Sequence, residues 1–311
     1  MNADANSRSA PVLASEQALS LLELVQDIVF EIDAQSCWAF LNAAWARIIG
    51  IPIPERIGKP VVNDIHPDDL KQLVFLATKH YPEYRHELRV RLHSGEWHWF
   101  EAHTRLQYDA EQRFCGAVGI MRDISHRHQA EQIRKRTDAI LMAVRFAAQR
   151  FLRTEAYITE LTPVLARFGE ASSVSRVYVY QNENTTQGVL AMSKRAEWAA
   201  PGFPSELANP ELQFFEYETR GFGRWITLLS QGHTIYGRMD EFPQTEREYL
   251  QSFGIQSQLV VPIFVDGTWW GFIGFDDCTH PRNWSEAERD ALGAAAEIIG
   301  VNGGRVRLVS V

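Results

Sequence analysis

The stretch "LVVPIFVDGTWWGFIGFDDC", residues 259–278, contains two apolar runs joined by Asp266 and Gly267. An Asp-Gly pair between two such runs is typical of a tight hairpin turn, so we predict two antiparallel strands here. Successive side chains of a strand point to opposite faces of its sheet, so Trp269 and Trp270 should lie on opposite sides. At most one of the two tryptophans can therefore face a cavity.

The length of the chain, 311 residues, favours two domains at about 150 residues each. Its net charge of −8 argues against a nucleic-acid partner, because binding to the phosphate backbone requires clustered Lys and Arg. No run approaches the roughly 20 apolar residues needed to span a membrane, and the N-terminus lacks the apolar core of a signal peptide. We therefore expect a cytoplasmic protein with no membrane partner.

The residues before position 127 predict one α+β domain. Two short strand-like runs, "IVFEID" and "SCWAFLNAAW", precede helical segments, and three alternating runs follow, "YRHELRVRL", "EWHWFEAHTRLQY" and "RFCGAVGIMRDI". This order is typical of an antiparallel sheet with helices inserted between its second and third strands. We assign residues 1–14 to a disordered tail and residues 15–126 to the domain, which begins with a short amphipathic helix.

A linker helix is predicted at residues 127–150. Apolar side chains recur at spacings of three and four, which is the seam of a coiled coil. The seam residues are Ala130, Ile133, Thr137, Ile140, Val144, Ala147 and Phe151. The helix could pair with a second copy of the chain, and we expect a homodimer through it. The alternative is that the second half of the seam packs onto the next domain.

A second α+β domain is predicted at residues 151–301. Two strands precede a long irregular segment at 199–257, and a helix capped by Ser285 and Glu288 follows the hairpin. Long loops in compact domains are often functional and ligand pockets are largely apolar, so aromatic residues near this segment are candidates for ligand binding. These candidates are Trp198, Phe222, Trp225, Tyr236 and Phe242. The alternative is ordinary packing of the segment onto its own sheet.

The C-terminus is predicted to be a short tail. Gly303 and Gly304 follow the last apolar positions of the final helix, and glycine is frequent just beyond helix ends. We therefore expect this helix to stop near residue 301 and residues 302–311 to form the tail.

The first domain resembles a PAS domain over residues 24–126. The resemblance rests on six signals in order, "FEID", "FLNAAW", "IIG", "IHPDD", "ELRVRLHSGEWHWFEAHTRL" and "GAVGIMRDIS". In that family an Asp-Ile-Ser or Asp-Ile-Thr sequence ends the last strand and starts the signalling helix. With three seam positions added, the predicted relay residues are Asp123, Ile124, Ser125, Ile133, Ile140 and Val144.

The second domain resembles a GAF domain over residues 137–300. The resemblance rests on "RAEWAAPG", "NPELQ", "GRWITLLSQGHTIYG", the opening hairpin and "WSEAERDALGAAAEIIG". GAF domains of this type are often found beside PAS domains in bacterial sensor histidine kinases and diguanylate cyclases. The resemblance implies a kinase or cyclase output partner.

The sequence requires no cofactor, and the identity of any cofactor is unknown. Haem would need an axial ligand, for which the candidates are His66, His80 and His86. The light-sensing flavin domains of the PAS family carry an Asn-Cys-Arg motif, which does not occur here. Bilin attachment needs a thiol beside the chromophore, commonly with a neighbouring histidine, but Cys278 is followed by Thr279. We therefore expect neither haem, flavin nor bilin, and no metal.

We expect this chain not to be an enzyme, since it lacks both a phosphate-binding Gly-Lys-Ser/Thr pair and a Gly-x-Ser-x-Gly elbow. The prediction is instead a sensory and regulatory module of bacterial signal transduction. It would sense a small molecule and relay the signal through the interdomain helix to an output domain outside this chain. The alternative is a dimerisation or scaffold module without a ligand.

Overall fold

A computed structural model describes residues 21–78, 83–152 and 157–309, and the chain divides into two compact units, residues 1–130 and 131–311. Each unit contains one antiparallel sheet with flanking helices, which confirms the predicted α+β class. The tail predicted at 1–14 and the start of the N-terminal helix lie outside the described residues. Residues 21–24 are helical.

The first unit has a five-stranded sheet in the order β2-β1-β5-β4-β3. Its strands are β1 (Ile28–Asp33), β2 (Trp38–Leu41), β3 (Glu83–Arg91), β4 (Trp97–Tyr108) and β5 (Phe114–Asp123). Helices α1 (Ala43–Ile49) and α2 (Pro67–Thr78) lie between β2 and β3, together with 3₁₀ turns at Ile53–Glu55 and Val61–Asn63. This is the order predicted from the sequence.

The core of the first unit lies between its sheet and the segment from α1 to α2. Trp45 of α1 is fully buried, and its ring lies 5.2 Å from that of Trp38. The indole N–H of Trp38 donates to Asp64 at 3.0 Å, and Arg56 lies 3.1 Å from the other oxygen of the same carboxylate. A buried carboxylate with two such partners fixes the loop after α1 against the sheet.

A single helix, α3 (Ser125–Phe151), runs from the first unit into the second, as predicted. Ile140, Ala147 and Phe151 are buried in the core of the second unit. The alternative considered for the second half of the seam, packing onto the next domain, is therefore confirmed. In the first half, Ala130 is exposed and Ile133 is half-buried. Pairing of that half with a second copy stays a prediction.

The second unit has a six-stranded sheet in the order β8-β7-β6-β11-β10-β9. Its strands are β6 (Arg176–Asn184), β7 (Leu190–Ala199), β8 (Phe215–Glu216), β9 (Ile235–Arg238), β10 (Ser257–Val265) and β11 (Thr268–Asp277). Its further helices are α4 (Tyr157–Ser172), α5 (Gly223–Ser230), α6 (Gln244–Gln251) and α7 (Glu286–Val309). The segment predicted to be irregular thus contains β8, α5, β9 and α6, which are too short for their periodicity to be recognised.

The hairpin of β10 and β11 confirms the prediction from residues 259–278. Asp266 and Gly267 have φ angles of 49° and 76°, as a two-residue turn with two left-handed positions requires. Trp269 packs against the apolar cluster on one face of the sheet and Trp270 against the cluster on the other. Their predicted opposite orientation is therefore confirmed.

The predicted end of the last helix is wrong. Helix α7 continues through Gly303 and Gly304 to Val309, so residues 302–309 are not a tail. A glycine inside a helix costs about 1 kcal/mol relative to alanine, which weakens a helix without ending it. Arg305, Arg307 and Leu308 are good helix formers and follow at once. Within the described ranges, no helix is both long and apolar enough to cross a membrane.

Candidate functional site

A cavity of about 350 Å³ lies in the first unit, between one face of its sheet and the segment that connects β2 to β3. The sheet contributes Phe30, Leu88, Ala102, Leu106 and Met121, and the connecting segment contributes Val61, Ile65, Leu70 and Leu73. This volume is within the range of about 300–1,000 Å³ that is usual for small-molecule sites. We call this space the PAS-side cavity.

The alternation of strand side chains places one histidine in the PAS-side cavity. Along β3, Tyr84, His86 and Leu88 face the cavity, while the residues between them face the other side of the sheet. His86 pairs with Ala102 of β4, and Thr104, two residues further along β4, also lines the cavity. The sequence "YRHELRV" already indicated that His86 lies on the buried face, because His86 alternates in phase with Leu88 and Val90.

His86 is 8% exposed, and its Nδ1 atom has no hydrogen-bond partner among the described residues. Burial lowers the pKa of His86 to about 4, and the nearby charge of Asp69 opposes this effect. The imidazole is therefore neutral at neutral pH, with one ring nitrogen as a donor and the other as an acceptor. Asp69 is itself engaged by Arg89, whose backbone N–H donates at 2.7 Å and whose guanidinium donates at 2.8 and 3.0 Å.

The rest of the PAS-side cavity is mainly apolar. The described side chains that line it include no Asp, Glu, Lys or Arg, and its polar groups beyond His86 are few, including Ser36, Tyr84 and Thr104. Transfer of a charge into such surroundings is strongly unfavourable unless an opposite charge accompanies it. The geometry therefore suits an uncharged molecule.

The predicted relay residues at the end of β5 form a hydrogen-bonded junction with β4. The backbone N–H of Ile124 donates to the Trp99 carbonyl at 2.8 Å, and the Trp99 N–H donates to Ser125 Oγ at 2.9 Å. The Asp123 carboxylate accepts from the Ser125 N–H at 2.8 Å and lies 3.3 Å from Nδ1 of His98. These bonds fix the point at which the strand ends and α3 begins.

The first turn of α3 is bound to the outer face of the same sheet. The His128 ring stacks on Trp99, with a centroid distance of 4.5 Å and an interplanar angle of 7°. Glu87 of β3 binds His128 at 2.7 Å and Arg127 at 2.6 Å. We call these four residues the helix clamp. Glu87 follows His86 directly, so β3 carries a cavity residue and a clamp residue next to each other.

Three of the five aromatic residues predicted to bind a ligand in the second unit lie together, and the other two lie elsewhere. Phe222, Trp225 and Phe242 lie in one buried apolar cluster on a single face of the sheet. Trp198 packs against the cluster on the opposite face. Tyr236 is 44% exposed, and the Arg289 guanidinium lies 4.0 Å from its ring centroid. Ligand binding by any of these five residues stays a prediction.

A smaller cavity of about 50 Å³ lies in the second unit, lined in part by Tyr178, Lys194 and Asp276. The Tyr178 hydroxyl and the Gln258 amide donate to Asp276 Oδ1 at 2.8 and 3.0 Å, and Lys194 binds Glu197 at 2.6 Å. Burial raises the pKa of Asp276 to about 6, although both hydrogen bonds and the cations nearby oppose this effect. This space is far smaller than usual ligand sites.

The surroundings of the bilin and haem candidates considered from the sequence can be described in these two cavities. The thiol of Cys278 lies beside Arg176, which lines the small cavity, and burial raises the pKa of this thiol. The cavity volume of about 50 Å³ is too small for a bilin. Of the haem-ligand candidates, His66 accepts from the Asp68 N–H and His80 lies outside the described residues. His86 faces a lining without Lys or Arg to bind the haem carboxylates. No group of three or more potential metal ligands occurs among the described residues.

Comparison with known proteins identifies both units. The PAS fold family model matches residues 16–124, and the GAF domain family model matches residues 157–302. The methanogenesis regulatory histidine kinase FilI of Methanothrix harundinacea is 30% identical over 302 residues, which are 93% of this chain and 32% of that protein. Sporulation kinase C of Bacillus subtilis is 30% identical over 129 residues, 38% of this chain and 28% of the kinase.

A solved structure is also similar to part of the chain. The phycocyanobilin-bound GAF domain of a cyanobacterial phytochrome is 18% identical, covers 54% of this chain and 96% of its own, and gives a TM-score of 0.45. The chain spans about a third of the length of the two kinases that it matches. By these family matches, the chain contains a PAS domain at residues 16–124 followed by a GAF domain at residues 157–302.

Proposed function

We propose that this PAS-GAF module senses a small molecule in the PAS-side cavity and relays its binding through α3. The observation that carries the proposal is an apolar cavity of about 350 Å³ that contains a buried histidine, one ring nitrogen of which has no hydrogen-bond partner in the described part of the chain. An unsatisfied buried polar atom costs about 1–3 kcal/mol, which a ligand that bonds to it would recover.

The relay would use strand β3. A ligand that contacts His86 acts on the residue next to Glu87, which binds the first turn of α3. A ligand shifts a conformational equilibrium only as far as its affinities for the two states differ. We propose that these two states differ in whether the helix clamp is closed, and that Asp123, Ile124 and Ser125 form the hinge.

The far end of α3 would pass the change to the GAF domain. Ile140 is fully buried and Val144 is partly buried within the GAF core. A shift or rotation of α3 would therefore have to repack that core. Ile133 lies between the helix clamp and Ile140 and is half-buried.

The output would be a kinase or cyclase activity, supplied by another part of a longer protein or by a separate partner. Support comes from the regulatory histidine kinase FilI and from sporulation kinase C, which are similar to this chain, because the chain spans only about a third of each. A cytoplasmic location and signalling in bacteria are parts of the same proposal.

Homodimerisation is a second candidate function, and it is compatible with sensing. Leu141 and Met142 of α3 are 49% and 67% exposed, and adjacent exposed apolar side chains on a helix favour a protein contact. Sedimentation of the chain and of a Leu141→Gln/Met142→Gln double variant would test it. A dimer that becomes a monomer in the variant supports pairing through α3, and a monomeric wild type contradicts it.

Methionine methyl NMR offers a direct test of the sensing proposal. Met121 lines the PAS-side cavity, whereas Met192 and Met239 lie in the GAF core, so one spectrum reports on both domains. A bound molecule should shift Met121 in a saturable way. The Ala102→Leu variant fills the cavity and should abolish the shift, with Ala117→Leu as a second variant at another wall. No saturable shift of Met121 with any small molecule would contradict sensing at this cavity.

A further inference from the structure

We infer that the ligand of the PAS-side cavity is an uncharged, predominantly apolar molecule with one hydroxyl group, which bonds to His86. This inference rests on the proposed function and narrows the chemistry of the same site. Two observations support this ligand, the residue types that line the cavity and the hydrogen bonding of His86.

The lining argues against an ionic ligand. An anion would need Lys or Arg, and a cation would need Asp or Glu, but no such side chain occurs among the described lining residues. Asp69 lies near His86, but it binds Arg89 through two side-chain hydrogen bonds, and neither Asp69 nor Arg89 lines the cavity. Their charges are therefore not available to a ligand.

The polar contact of the ligand is placed by His86. The side chain is more than nine-tenths buried and faces the cavity, and its Nδ1 has no hydrogen-bond partner within residues 21–78, 83–152 and 157–309. A neutral imidazole presents a donor or an acceptor at this atom, depending on its tautomer. A hydroxyl group can accept as well as donate, so it can bond to either tautomer, whereas a carbonyl group can bond only to the protonated nitrogen.

Water alone does not account for the whole cavity. A water molecule can bond to His86 and to the few other polar groups of the lining, but it leaves the aliphatic and aromatic walls uncovered. An apolar molecule with one hydroxyl group satisfies His86 and also covers the apolar walls. This combination makes the hydroxyl position a determinant of specificity.

Four matched compounds test the inference on the full chain with labelled methionine methyl groups. They are 1-octanol, 1-chlorooctane, octanoate and octylammonium, at neutral pH. We expect 1-octanol to shift Met121 with saturation and to leave Met192 and Met239 unchanged. Octanoate and octylammonium should bind at least about 10-fold more weakly, because each carries an unpaired charge into the cavity.

Variants of His86 test the hydroxyl contact. His86→Leu should weaken 1-octanol by about 2- to 13-fold, the value of one neutral hydrogen bond, and should leave 1-chlorooctane unchanged. His86→Gln retains a donor and an acceptor and should retain most of the affinity for 1-octanol. The His86→Gln variant also tests the hydroxyl contact if His86→Leu does not fold.

The outcomes separate this inference from the proposed function. If octanoate or octylammonium binds as tightly as 1-octanol and Ala102→Leu abolishes the binding, the ligand class is wrong and sensing at the cavity stands. If His86→Leu weakens the binding of 1-octanol and of 1-chlorooctane equally, the hydroxyl contact with His86 is wrong. If none of the four compounds shifts Met121, the inference fails, whereas the proposed function fails only if no small molecule of any class gives a saturable shift of Met121.

Discussion

His86 and Glu87 are consecutive residues of β3 that face opposite sides of the PAS sheet: His86 lines the PAS-side cavity, and Glu87 binds His128 and Arg127 of α3. A single peptide unit therefore separates the proposed ligand contact from the helix clamp. Residues this close move together when the strand shifts, so no long chain of intermediate contacts is needed to connect the cavity with α3.

Loss of the Glu87 carboxylate should loosen the start of α3. We expect Glu87→Gln to increase amide hydrogen exchange at residues 125–128 by roughly 2- to 5-fold, since partly exposed ion pairs contribute about 1 kcal/mol or less. Glu83→Gln is the matched control, because Glu83 lies on the same strand and binds His103 and Arg105 of β4 rather than α3. Equal exchange at 125–128 in both variants would contradict the clamp.

Acid should destabilise the PAS domain through His86. The pKa of this side chain is about 4 in the folded domain and 6.5 in the unfolded chain. As pH falls from about 6.5 to 4, the unfolded chain takes up a proton that the folded domain does not, so the free energy of unfolding decreases by up to about 3 kcal/mol. Urea unfolding followed at Met121 should show this loss in the wild type.

His86→Leu should remove that part of the pH dependence. The variant keeps the contributions of all other groups, so the difference between the two unfolding curves isolates His86. His93→Gln is a control at an exposed histidine of the same domain. A wild type and a His86→Leu variant with parallel curves between pH 7 and 4.5 would show that His86 is not held neutral by burial.

Asp276 should make the stability of the GAF domain depend on pH with the opposite sign. Its pKa is about 6 when folded and 3.8 when unfolded, so the folded domain retains a proton that the unfolded chain has lost. As pH rises from about 4 to 6, the contribution of this carboxyl group to stability falls by about 3 kcal/mol. The stability of Asp276→Asn relative to the wild type, followed at Met192, should therefore increase across that window and be constant above it.

Substitution by alanine at two glycines of the GAF domain should change the free energy of unfolding in opposite directions. A Cβ atom on Gly271 of β11 would lie 2.0 Å from the Tyr180 carbonyl oxygen, whereas one on Gly293 of α7 would contact nothing within 4 Å. We expect Gly271→Ala to lower the free energy of unfolding by about 1–3 kcal/mol. Gly293→Ala should raise it by up to about 1 kcal/mol, because alanine favours a helix. Chemical denaturation measures both, and a neutral Gly271→Ala would contradict the close approach of β11 and β6.

Much of the fold could be predicted from local patterns. The Asp266-Gly267 turn, the alternating strands of the PAS sheet and the apolar spacing of α3 each specify their elements within a short stretch. The end of α7 could not be predicted in this way. Glycine only weakens a helix, so the outcome at Gly303 depends on the residues that follow.

The candidate site was harder to predict, because a cavity depends on what long-range packing leaves unfilled. The aromatic residues of the GAF segment were selected for their chemistry, but Phe222 and Trp225 fill their side of the sheet rather than surround a large space. His86 carried a weak local signal, its phase with Leu88 and Val90. Its importance follows from a ring nitrogen that no described residue bonds, and this depends on side chains from several strands.

Hydrogen exchange of the full chain with and without saturating 1-octanol tests the central claim most directly, since it measures whether occupation of the PAS-side cavity is felt at α3. The account predicts that 1-octanol changes exchange at residues 125–128 in the wild type and that Glu87→Gln removes most of this change, while Met121 still reports binding. Binding at Met121 with unchanged exchange at residues 125–128 in the wild type would contradict it.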